Sequence, residues 1–273
     1  MQSIAKFLYV NAIKIKQIIV TPYFFLSVAV ICLLCFSSGI YHDSITNRVY
    51  CVAEVLIHMS QQEMIQIPEL NSFNVFESGI GTYAVLFMPI LTSLPFVFSN
   101  CMEYRTGIVR HKLVRTKYIW SLISNCSSAL ISAGLVAFTG YFLFGIFTFC
   151  LFPKEVSGMV FETSYHVVLA LVCTFFYGMV TSVPALFLVS FIKNEYVVVT
   201  IPFILFYIEN VLVKKMSLEG YETIGKYAVD VLPLLYRFGE QKIVSILLFH
   251  IISSLLVCVI YIVWQKRRFD YGE

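Results

Sequence analysis

Between residues 121 and 150, thirty consecutive positions carry no Lys, Arg, Asp, Glu or His. Wound as a helix at 1.5 Å per residue, such a run is about 45 Å long and has no face suited to water. A lipid bilayer accepts it, because the hydrocarbon core calls for about 20 consecutive apolar residues. Five further runs, near 22–40, 80–100, 164–192, 196–213 and 243–264, meet the same requirement. The third and fourth runs exceed the minimum, so they are expected to tilt, kink or extend beyond the bilayer. The whole chain of 273 residues is 59% hydrophobic and 13% charged, with a mean hydropathy of +0.83. Soluble domains carry roughly 25% charged residues. The expectation is one all-α polytopic membrane domain over 1–273 with six transmembrane helices. Pro89, Pro95, Pro184 and Pro202 lie inside these runs and predict local kinks, since each removes a backbone donor.

Charge fixes the expected orientation. Residues 101–118 hold Arg105, Arg110, Lys112, Arg115 and Lys117 against one acid, Glu103. With both termini in the cytoplasm, the inner segments hold 12 of the 19 basic residues and four acids, a net of +8. The outer segments then carry −4, which satisfies the tendency of Lys and Arg in short loops to stay inside. The expected location is the cell membrane, multi-pass.

Flanking segments have patterns of their own. Residues 2–20 read as an amphipathic helix with Ile4, Phe7, Leu8, Asn11, Ile15 and Ile18 near one stripe and Lys6 and Lys14 away from its centre. Such a helix would lie in the interface with its lysines toward lipid phosphates, or else extend the first span into the cytoplasm. Thr21-Pro22 favours a break between the two. The external loop 41–79 sets Asp43, Glu54, Glu63, Glu69 and Glu77 against Arg48 alone and suggests a short surface helix. Its charge would draw cationic ligands. Residues 214–242 suit a re-entrant or interfacial helix pair before the last span, interrupted by Pro233.

Few residues ask for chemistry. GxxxxGK[ST], HExxH and GxSxG are all missing, and His42, His58, His111, His166 and His250 are scattered. No catalytic residue, metal site or nucleic-acid partner is expected, and no cofactor on this chain. Most of the eight cysteines lie in apolar segments, where Cys is a small hydrophobe. Glu209, beside Asn210, is the one formally charged residue within a span. It is a polar point on a substrate path or a helix end reached by water. Ser124, Ser128 and Ser132, with Ala129, Ala133, Ala137 and Gly140, let helices approach closely, within the subunit or toward another.

The combination resembles the membrane subunits of type-2 ABC exporters. It comprises an interfacial N-terminal helix, six spans with both ends inside, a re-entrant segment before the last span, and Glu103-Tyr-Arg-Thr-Gly107 followed by a basic stretch. The resemblance implies that Glu103, Tyr104, Arg105, Gly107, Ile108, Val109, Arg110 and Leu113 form a coupling helix docking on separate ATPase subunits, which bind ATP and Mg. It also implies a second permease subunit, copy or paralogue, in the same bilayer. The substrate expected of a chain without a large external domain is hydrophobic or membrane-active, such as a peptide. A non-transporting immunity or sensor subunit that binds peptides at its acidic external loops is the alternative.

Overall fold

In the computed structural model the described residues are 2–43, 48–81, 83–106, 118–153, 160–192, 194–218, 225–237 and 240–270. They form an all-α membrane bundle. The helices are α1 (Gln2–Ile19), α2 (Pro22–Phe36), three short helices α3 (Val52–His58), α4 (Gln61–Gln66) and α5 (Ser72–Ile80), and the long helices α6 (Tyr83–Arg105), α7 (Tyr118–Leu151), α8 (Val160–Leu188), α9 (Glu195–Leu218) and α10 (Glu240–Asp270). Helices α6 to α10 are each long and apolar enough to cross a membrane.

The N-terminal break is set by Pro22. It has no N–H to continue α1 and its fixed φ suits a first helical position. Thr21 extends instead, and its hydroxyl donates to the Ile18 carbonyl at 2.6 Å. The segments on either side meet at 63°. The first span is shorter than the 22–40 run suggests. Residues 39 and 40 leave the helix for a hairpin, so α2 spans 15 residues, about 22 Å. That falls short of a bilayer core, and only the bent pair taken together makes a sixth span.

The hairpin β1 (Gly39–Asp43) and β2 (Arg48–Cys51) pairs Tyr41 with Tyr50 and His42 with Val49, antiparallel. It begins a cap over one end of the bundle. From this cap Val52, Met64, Leu70, Phe76 and Ile80 join one buried core with Ile31, Met88, Val136, Tyr141 and Phe144 of the long helices. Among the described residues before the last span, Val229–Arg237 is a 3₁₀ run, and the helix pair expected over 214–242 lies partly outside the described residues. Pro233 in its middle lacks the donor that an α-helix would use. Leu232, Leu235 and Tyr236 of this run are buried.

Pro89, Pro95, Pro184 and Pro202 sit inside continuous helices. Pro89 frees the carbonyl of Val85, four residues earlier, and the buried Tyr177 hydroxyl of α8 donates to that carbonyl at 2.8 Å. A lipid interior makes such compensation necessary. The small residues of α7 face inward: Ser124, Ser128, Ser132, Ala129, Ala133 and Ala137 are all buried. Opposite them a Cβ on Gly178 would lie 2.7 Å from both the Ala133 carbonyl oxygen and the Ala137 Cβ.

Gly178→Ala is therefore expected to destabilise the bundle by about 1–2 kcal/mol, overpacking outweighing the helix-propensity gain of roughly 1 kcal/mol. Gly81→Ala, whose nearest neighbour would be 3.9 Å away, should leave the melting temperature in detergent unchanged. Equal melting temperatures for the two variants would refute this account of the α7–α8 contact.

Candidate functional site

Four chain segments converge where α6 runs into residues 107–117. Glu103, Tyr104 and Arg105 are the last residues of α6. Gly107, Ile108, Val109, Arg110 and Leu113 lie outside the described residues. Around Glu103 the chain gathers Lys14 from α1 and Asn125 from α7. Lys14 Nζ donates to Asn125 Oδ1 and lies 3.7 Å from Glu103 Oε2. Ser127 donates to Asn11 Oδ1 at 3.1 Å, adding a second polar tie between α1 and α7.

This arrangement overturns the expected role of Lys14. Asn11, Lys14 and Ile18 form the buried stripe of α1, with Lys14 only 5% exposed. An ammonium taken out of water needs a partner, and Glu103 and Asn125 supply one in place of lipid phosphate. Glu103 closes α6, and its side chain is 14% exposed.

On the other flank Arg105 Nη2 meets Glu195 Oε2 at 2.5 Å. Glu195 is buried and opens α9, where a carboxylate also complements the positive end of the helix dipole. The Arg105 side chain is 58% exposed, so this pair is screened far more than the first. The last turn of α6 is thus held from two sides, by α1 and by α9.

Glu209 and Asn210 occupy α9 two turns before its end. With Tyr177 and Asp230 they line a cavity of about 10 Å³, room for about one water.

The acids of the cap are largely engaged within the chain. Arg48 reaches Glu54 at 2.8 Å and Arg237 reaches Glu77 at 2.6 Å. Glu54 accepts the Cys51 N–H at 3.0 Å, and Glu63 accepts the Ser60 N–H at 2.7 Å, each at a helix start. Those backbone donors come first in holding both carboxyls below their ordinary value of 4.5, Arg48 adding to the effect at Glu54.

Among the described residues no group of three His, Cys, Asp or Glu side chains is placed to hold a metal ion. The chain matches no known family model and no curated protein.

Two outcomes follow from these contacts. Lys14→Ala should cost about 3 kcal/mol by stranding a largely buried carboxylate, whereas Arg105→Ala should cost less than about 1 kcal/mol. Lys14→Met combined with Glu103→Leu should recover most of the first loss, as read by thermal unfolding. The second outcome concerns acid. Depressed carboxyl pKa values contribute stability above the unfolded value, and that stability is lost as pH falls through the folded one. Amide protection at Cys51 and Ser60, relative to intrinsic exchange, should therefore fall on acidification below about pH 4.5. Glu54→Gln and Glu63→Gln should remove that pH dependence.

Proposed function

We infer that this chain is the permease subunit of an ATP-driven exporter of the type-2 ABC class. In this reading both termini and residues 101–118 are cytoplasmic. The bent pair α1–α2 combines an interfacial helix with the first of six spans, and Val229–Arg237 belongs to a re-entrant segment. Separate ATPase subunits hold ATP and Mg, and a second permease, copy or paralogue, completes the membrane half. The substrate is hydrophobic or membrane-active, a peptide being the favoured class.

The observation that carries this reading is the double anchorage of the segment at 101–106. A loop serving only to orient the chain needs charge. A docking element must also pass force into the bundle. The Lys14–Glu103 and Arg105–Glu195 contacts link the start of this segment to α1 and to α9. Closure of ATPase subunits beneath it would act on two membrane helices at once. Nucleotide binding would then shift the equilibrium between two arrangements of the bundle, because ATPase contacts differ between them. Beyond Arg105, Gly107 permits a close approach of backbone, and Ile108, Val109 and Leu113 offer an apolar contact.

The alternative, a non-transporting subunit that collects cationic peptides, draws on the acidic loop. Glu54, Glu63 and Glu77 already have partners within the chain, which weakens it.

Gly107→Val and Leu113→Asp separate docking from topology, since both leave Lys14 and Glu103 themselves unchanged. Both variants should insert normally, lose co-purification with the ATPase by tenfold or so (roughly 1.4 kcal/mol), and lose substrate-stimulated hydrolysis. Normal association and normal stimulated hydrolysis in both would reject the docking assignment.

A further inference from the structure

Beside the anchored end of α6 lies an open cavity of about 640 Å³, within the roughly 300–1,000 Å³ of small-molecule sites. It sits where Thr21 and Pro22 break the first helix, where α6 ends and where α9 begins. Its walls carry two kinds of recognition group. The first is aromatic. Tyr23 stacks on Phe98 with centroids 4.2 Å apart, and Tyr196 stands across Phe98 at 84° and 5.8 Å. Tyr196 keeps 68% of its surface open. Ring planes set at right angles offer π faces to a cation from more than one direction.

The second kind is ionic. Glu103, Arg105 and Glu195 all line the cavity. An anion without a cationic group would meet two carboxylates, and a bare cation would meet the exposed Arg105 guanidinium. A ligand bearing both signs suits the wall: an ammonium toward the rings and carboxylates, and a phosphate toward the planar donors of Arg105. Depth decides its source. Glu103 closes one apolar span and Glu195 opens another, while Pro22 begins the second half of the bent pair. These positions lie at the water–lipid boundary, where tyrosines concentrate and headgroups reside.

We propose that this cavity binds the headgroup of a zwitterionic aminophospholipid from the leaflet beside the 101–118 segment. The site needs only that the chain crosses a membrane, so it stands or falls independently of any ATPase. Because Arg105 and Glu195 belong both to its wall and to the anchorage, a bound headgroup would fill the space next to the proposed docking element.

The test uses the full-length chain in detergent. Native mass spectrometry counts retained lipid after equal additions of phosphatidylethanolamine and phosphatidylglycerol with matched acyl chains. Phosphatidylethanolamine should be retained about tenfold more. Tyr23→Ala with Tyr196→Ala should remove that preference. Tyr196→Trp should keep it, because indole binds cations at least as well as phenol. Leu256→Ala, on an exposed face of α10, should change nothing. Melting temperatures report whether each variant is folded, and Tyr196 is exposed enough to be replaced without a cavity. Equal retention of the two lipids overturns the proposal, as does an unchanged preference in the double alanine variant. Displacement of the lipid by soluble glycerophosphoethanolamine at equal concentration would also overturn it, since the acyl chains would then contribute nothing.

Discussion

The bundle rests on the approach of α7 to α8 at Gly178, where the Ala133 carbonyl occupies the space a side chain would need. Lipid tails are as apolar as the side chains they touch, so close packing replaces the hydrophobic effect as the force between spans. A glycine facing a run of alanines and serines brings backbones into contact along several turns. The neighbouring Tyr177 then falls within reach of α6. Its hydroxyl meets the carbonyl that Pro89 leaves without a donor. A proline that weakens α6 alone thereby becomes a specific attachment between α6 and α8. Gly134, whose Cβ would lie 2.7 Å from Phe175, extends the same tight contact.

Ionic groups are distributed by a different rule. Removing one partner of a buried pair strands the other, so the gain lies in specificity of placement more than in net stability. Lys14 fixes the rotation of α1 on α7 and α6, because only one face of α1 brings Asn11, Lys14 and Ile18 inward together. Arg105 and Glu195 do less for stability, being open to solvent on the arginine side, yet they set where α9 starts relative to where α6 ends.

Much of this was legible in the sequence. The long apolar runs correspond to α6 through α10 with shifts of a few residues, because span length and composition are local properties. The Thr21-Pro22 break is local too, set by one missing N–H. What escaped depends on contacts between distant residues. Lys14 reads as interfacial when α1 is taken alone, and its burial makes sense only once Glu103 and Asn125 are beside it. The hairpin at 39–51 had a signal, Ile40, Tyr41, Val49 and Tyr50, in residue types that favour strands, with Tyr41 facing Tyr50. The apolar run that ends in the same residues concealed it. The acids of 41–79 were counted correctly, but a count says nothing of the caps and pairs that use them.

Burial is uneven across the spans, and this bears on how force would move through the molecule. In α6, 61% of the apolar window is buried within the chain, against 17% in α9 and 22% in α10. The first is wedged among α2, α7, α8 and α9, whereas the last two present most of their surface away from the rest of the chain. Packed interiors resist continuous deformation and transmit displacement as rigid pieces. A push delivered at Arg105 therefore meets a stiff helix on one side. On the other, through Glu195, it meets a helix packed chiefly on α6 with most of its surface outward. Of the two helices tied to the end of α6, α1 is locked by Lys14 and the Ser127–Asn11 contact to α7. Helix α9 packs chiefly on α6 and buries the smallest share of its apolar window, so a displacement of α6 would carry α9 with it against few other neighbours.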